Sequence, residues 1–132
     1  MSDSATAQRR HSYYEASARQ RIASLFDQGS FTELAGPAER CVSPHLETLG
    51  QPYAFDDGIV VGRARLDGRE VLLAAQEGGF MGGAVGEVHG AKLTGLLELA
   101  VQEHPVAVVL MLESGGVRLH EANAGLIAIS EI

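Results

Sequence analysis

Val106-Ala107-Val108-Val109-Leu110-Met111-Leu112, followed by Glu113-Ser114-Gly115-Gly116 and Val117-Arg118-Leu119-His120-Glu121, is the stretch on which the fold turns. Seven apolar residues, mostly β-branched or Leu-type, predict a strand buried on both faces. The glycine pair then lets the chain turn without Cβ clashes, and a helical pattern running from Val117 to Ile132 follows at once. Strand, double glycine and helix N-terminus leave backbone N–H groups pointing outward, where they can bind an anion or the developing oxyanion of an ester or thioester carbonyl.

Upstream, Ile59-Val-Val-Gly-Arg-Ala-Arg-Leu66 and Arg69-Glu-Val-Leu-Leu-Ala-Ala-Gln76 are strand-like and separated by Asp67-Gly68, a two-residue hairpin signal. The second strand runs into Gly78-Gly79-Phe80-Met81-Gly82-Gly83. A helix over 85–103 follows, with Leu93, Leu96, Leu97 and Ala100 on one face and His104-Pro105 as its stop. Strand 69–76, this helix and strand 106–112 form a βαβ unit with parallel strands. Gly82, Gly86 and Gly90 recur every four residues and predict a smooth strip that another backbone or a ligand can approach closely.

Towards the N-terminus, residues 1–11 are expected to be a disordered tail and 12–132 one domain. Ser12-Tyr-Tyr-Glu15 is a capping-box pattern expected to open a helix; Ala18, Ile22, Leu25 and Phe26 give it an apolar stripe, and Gly29 is placed to end it. Residues 30–57, with Pro37, Pro44 and Pro52, show no sustained period and are expected to be a connection over the surface.

The chain of 132 residues carries 16 glycines, about 12% against a usual ~7%. Twelve of them fall between Gly58 and Gly116, so they mark backbone requirements in one region, not a linker. Net charge is −7, with a single lysine, Lys92. An acidic body of that kind argues against nucleic acid as a partner. Cys41 stands alone, which excludes a disulfide framework. No signal-peptide pattern opens the chain and no apolar run approaches the ~20 residues of a membrane span, so a cytoplasmic protein is expected.

Among site patterns, a dinucleotide fingerprint and a P-loop both fail in the glycine-rich region. Ser114 has Gly116 after it but Leu112 where a nucleophile elbow needs glycine. His120-Glu121 begins like a zincin helix, but Ala124 stands where the second histidine belongs, so no metal is expected. His89 and His120 read as hydrogen-bonded helix histidines. What remains is Gly115-Gly116, with the loop at 78–83 beside it at the end of the neighbouring parallel strand, each able to supply an N–H to one carbonyl oxygen.

Arg21-Ile-x-x-Leu25-Phe-Asp27-x-Gly29-Ser-Phe31-x-Glu33, Asp57-Gly58-Ile-Val-Val-Gly62, Gly82-Gly-Ala-Val-Gly-Glu87-x-His89-Gly90-x-Lys92 and Ser114-Gly-Gly-x-Arg118-x-x-Glu121 occur in that order. Together they resemble the acyl-CoA carboxyltransferase family of the crotonase superfamily, and the run from Glu113 to Ile132 is most similar to its malonate decarboxylase β-subunit branch. The resemblance implies an α/β, crotonase-like ββα superhelix, here the N-terminal part of a longer domain and incomplete at its C-terminus, with an apolar edge exposed. It implies decarboxylation of a malonyl thioester on the phosphopantetheine-type arm of an acyl carrier protein. The implied partners are a γ subunit, the carrier protein and an acyltransferase subunit in a hetero-oligomer. Carried over to this chain, the family's oxyanion hole falls on Gly115 and Gly116; Phe80, Met81, Gly82 and Gly83 of the neighbouring loop are expected to contact substrate, and Arg118 and Glu121, three apart on one helix, to form a supporting pair. Two alternatives stand beside it: a biotin-dependent acyl-CoA carboxyltransferase subunit, and a fragment that only docks on a partner.

Overall fold

The computed structural model describes residues 16–35, 46, 49–51, 56–121 and 123–132. Helix α1 spans Ala18–Leu25, strand β1 Thr32–Leu34, β2 Ile59–Leu66, β3 Arg69–Gln76, helix α2 Glu87–Glu103, β4 Val108–Met111 and helix α3 Asn123–Glu131. The strands form one sheet in the order β1-β2-β3-β4, antiparallel between β1 and β2 and between β2 and β3, and parallel between β3 and β4. The hairpin is as expected: Leu66 pairs with Arg69, and both turn residues are left-handed, Asp67 at φ 54° and Gly68 at φ 78°. Both Asp27 side-chain oxygens accept from that turn, from the Asp67 and Gly68 N–H groups at 2.9 and 2.8 Å.

α1 covers one face of the sheet and α2 the other, so both faces of β3 must be apolar. On one face Val71, Leu73 and Ala75 pack with Val60, Ala64 and Met111 against Ala18, Ile22 and Phe26 of the α1 segment. On the other, Leu72 and Ala74 pack with Ile59 and Val61 against Leu93 and Leu96 of α2, flanked by Leu97 and Ala100. The sheet is thus sandwiched between α1 and α2.

Five expectations need correction. The helix begins at Ala18, and its capping box is Ser17 with Gln20; Ser12–Glu15 lies outside the described residues. Leu25 points outward, and the helix ends at Phe26 in extended conformation, so Gly29 belongs to the turn beyond it and not to the cap. Within 30–57, residues 32–34 form β1, which pairs along Val61, Gly62 and Arg63; Gly62 makes room, since a Cβ there would lie 2.5 Å from Thr32 O and from the Phe31 ring. Cys41 lies outside the described residues.

The other two corrections concern the opening stretch. Among the described residues β4 pairs with β3 alone, at the edge of the sheet, and Val106, Leu110 and Leu112 are exposed, as are Leu126, Ile127 and Ile129 of α3. The apolar edge anticipated for this sheet is therefore present. The helix does not start at Val117. That residue forms an isolated parallel bridge with Val85, a 3-10 turn covers Leu119–Glu121, and α3 begins at Asn123. The backbone at 116–118 is committed to Val85, whose N–H donates to Gly116 O at 2.7 Å and whose carbonyl accepts from Arg118 N–H at 2.9 Å. A residue paired across to another segment in this way is not free to enter a helix.

Candidate active site

The two glycine loops meet backbone to backbone at the C-terminal ends of the parallel strands β3 and β4. A Cβ on Gly83 would lie 1.9 Å from Glu113 O, and one on Gly115 would lie 2.4 Å from Gly82 O. No side chain fits between them. Met81, Gly82 and Gly83 are consecutively left-handed, with φ of 49°, 65° and 77°. Positive φ at Met81, a residue with a Cβ, is the strained backbone that tends to gather at functional sites. Gly116 sits at φ 91°, and its N–H donates to the Ser114 hydroxyl at 3.1 Å. Ser114 therefore serves the turn. Among the described residues the Gly115 N–H has no acceptor.

Beneath the loops lies a buried polar assembly centred on Arg118, whose residue exposure is 1%. Its Nη1 donates to Asp57 Oδ1 at 2.7 Å and to Glu121 Oε1 at 2.8 Å, and its Nη2 donates to Ala84 O at 3.2 Å. The guanidinium also lies 5.4 Å from the centroid of the Phe80 ring. The expected Arg118–Glu121 pair is present, and Asp57 completes a triad that sequence reading passed over.

The two carboxylates do a second job. Gly86, the N-cap of α2, offers no side-chain cap, and a Cβ there would strike the Arg118 guanidinium at 2.2 Å. Glu121 Oε2 accepts from Glu87 N–H at 2.6 Å and Asp57 Oδ2 accepts from His89 N–H at 2.8 Å, capping α2 from two distant segments. The predicted strip of glycines holds for two members. Gly86 admits the ion pair, and Gly90 admits Ala128 of α3, whose Cβ would stand 2.5 Å away; Gly82 lies before the helix, with open space around it.

His89 is wholly buried. The Gln76 amide is oriented by Glu113 N–H, which donates to its Oε1 at 2.7 Å, so its Nε2 donor faces His89 Nε2 at 3.2 Å. That ring nitrogen must accept, which assigns the proton to Nδ1. Burial above all, with Arg118 and then Lys92 nearby, lowers the His89 pKa from 6.5 to about 4, against an opposing pull from Asp57 and Glu121. Burial raises the Asp57 carboxyl despite Arg118.

A folded-state histidine pKa below the unfolded one means that the unfolded chain binds the extra proton first. Stability is then lost as pH falls from about 6.5 to about 4. A difference of that size is worth on the order of 3 kcal/mol. The raised Asp57 carboxyl acts in the opposite sense, so the histidine is isolated by substitution. Urea midpoints of His89→Gln should fall less steeply over that window than those of the parent; parallel slopes would refute the assignment.

Arg21 of α1, 2% exposed, donates to Gln76 O and pairs with Glu113 Oε2 at 3.1 Å, which ties α1 to the same strand ends. Lys92 reaches from α2 to the carbonyls of Asp56 and Ile59. His120 lies exposed on the 3-10 turn. Among the described residues no group of three or more His, Cys, Asp or Glu could hold a metal, and no helix is long and apolar enough to cross a membrane.

The mixed sheet between helices is that of a crotonase-like fold, and similarity to solved carboxyltransferase structures agrees. The family model of the carboxyl transferase domain matches residues 9–132, and the chain belongs to that family. It is 43% identical over 135 residues to a malonyl-S-ACP:biotin-protein carboxyltransferase of Malonomonas rubra, covering 92% of this chain and 42% of the relative. It is 35% identical over 124 residues to a propionyl-CoA carboxylase beta chain of Saccharopolyspora erythraea, covering 94% of this chain and 22% of the relative. The crystal structure of a Pseudomonas malonate decarboxylase hetero-tetramer in complex with malonate superposes with a TM-score of 0.86 at 52% identity, over 92% of this chain and 46% of that one. The chain spans less than half the length of these relatives.

Proposed function

We propose that the chain is the part of a malonyl-thioester decarboxylase subunit that carries the oxyanion-binding loops. The substrate is a malonyl group on the phosphopantetheine-type arm of an acyl carrier protein, and the chain works in a hetero-oligomer with a γ-type subunit and an acyltransferase. The observation that carries the reading is the abutment of Gly82-Gly83 on Glu113–Gly115, with the Gly115 N–H left open.

The chemistry needs little more than such donors. When the bond from the malonyl α-carbon to its carboxylate breaks, the electron pair passes into an enolate, with much of its charge on the thioester oxygen, and carbon dioxide departs. A fixed N–H aimed at that oxygen binds it more strongly as charge develops, and this difference is what accelerates the step. Gly115 is the donor proposed from this loop, with Gly116 beside it. Phe80, Met81, Gly82 and Gly83 form the facing wall. Arg118 and Glu121 hold the loops from below.

The name of the Malonomonas relative favours a second reading, in which the carbon dioxide is passed to a biotin protein. Both readings share the enolate and differ in where the carboxyl group goes. Turnover of malonyl-carrier by the complete subunit with its partners, with and without avidin, separates them. Avidin-insensitive release of carbon dioxide is expected, and abolition by avidin would install the biotin reading. A chain that binds its partner but adds no activity would leave only a docking role.

A further inference from the structure

Met81 of the first glycine loop and Val117, the residue after Gly116, border an open cleft of about 380 Å³ lined also by Ala84, Arg118, Leu119 and His120. The enolate left by decarboxylation needs a proton on its α-carbon, so an acid must reach the cleft. Two of the six lining residues are ionisable. Arg118 is engaged by Asp57, Glu121 and Ala84 O, and a guanidinium does not release a proton near neutrality. His120 is exposed and sits four residues beyond Gly116.

Nearby groups serve less well. His89 is sealed from solvent and held neutral, with its pKa lowered to about 4. The Glu113 carboxylate pairs with Arg21, and the Ser114 hydroxyl accepts from the Gly116 N–H. Across the cleft, Met81 and Ala84 bring no charge, and Glu121 is turned inward to Arg118 and Glu87 N–H.

We propose that His120 is the proton donor that converts the enolate to the acetyl thioester, an inference that rests on the decarboxylation reading above. In this step the imidazolium N–H bond breaks, a C–H bond forms at the α-carbon from the enolate electron pair, and the neutral imidazole takes a proton back from water. Exposure to solvent lets such a shuttle recover its proton from water after each turnover.

The test uses the complete subunit assembled with its partners and a malonylated carrier protein. His120→Gln keeps size and hydrogen bonding but cannot relay a proton. Its kcat should fall about 100-fold or more, with KM little changed and the histidine limb of the pH–kcat profile lost. In His120→Ala, added imidazole should restore turnover, which a merely structural role would not allow. A kcat within about threefold of the parent with the same pH profile, or no rescue by imidazole, overturns the assignment. A parent complex that fails to decarboxylate the malonyl thioester sinks the underlying reading instead, so the two failures are distinguishable.

Discussion

Arg118→Met is expected to destabilise the folded chain by about 3–5 kcal/mol, the cost of stranding buried charge. Side-chain exposure is 0% for Arg118, 1% for Asp57 and 0% for Glu121, so neither carboxylate regains water when the guanidinium is removed. A loss of that size is a large share of the ~5–15 kcal/mol that holds a typical domain together. The Arg19–Glu33 pair supplies the control. Its N–O distance of 2.8 Å equals that of Arg118–Glu121, but Arg19 is 42% exposed. Glu33→Gln should therefore cost less than about 1 kcal/mol. Urea midpoints at unchanged m-value read both effects. The combination Asp57→Asn, Arg118→Met, Glu121→Gln should recover much of the loss, because it removes the stranded charges and keeps acceptors for Glu87 and His89 N–H. If Arg118→Met unfolds no more readily than Glu33→Gln, the buried triad is not what holds the loops.

The same triad explains why part of the site could not be read from the sequence. Local signals were legible because their causes are local. Asp67-Gly68 sets its own turn, and the near-continuous apolar runs of β2 and β3 follow from a sheet covered on both faces. The glycine loops were legible for the same reason, since a glycine announces a missing Cβ wherever it stands. The capping of α2 is different. Its N-cap glycine looks like a weak start, and the carboxylates that complete it come from 32 and 34 residues away in sequence. Asp57, which the sequence offers only as the first residue of the Asp57–Gly62 segment, proved to be the wholly buried partner of Arg118.

The errors in 106–121 have a related origin. A run of seven apolar residues specifies that a strand forms but not how many neighbours it has, and among the described residues β4 has one. Val117 fits a helix start by pattern, yet its β-branched side chain and committed backbone suit the bridge to Val85. The consequence is functional. With α3 starting at Asn123, the turn at Gly115 does not stand at a helix N-terminus, so the positive potential expected there from helix 117–132 is not supplied. Any oxyanion stabilisation falls to the N–H groups themselves, which makes their placement the sensitive quantity.

Gly115→Ala is accordingly expected to lower kcat by about 100–1000-fold, or ~2.7–4 kcal/mol, the usual loss when one oxyanion donor is displaced. The added methyl would lie 2.4 Å from Gly82 O, a backbone atom that cannot swing aside, so the two loops must part and carry the N–H with them. Gly68→Ala, in the β2–β3 turn and outside the proposed site, is the control. It has open space, and its φ of 78° imposes only the ordinary left-handed penalty, so it should cost roughly 1–2 kcal/mol of stability with turnover largely retained. Steady-state kinetics of the assembled enzyme, with the urea midpoint of each variant alongside, divide the alternatives. A variant at Gly115 that is stable but slow at every substrate concentration has lost transition-state binding, as the oxyanion role requires. One that is slow only because it is unfolded has lost packing. One that turns over like the parent returns Gly115 to the status of a tight turn, and the proposed oxyanion hole goes with it.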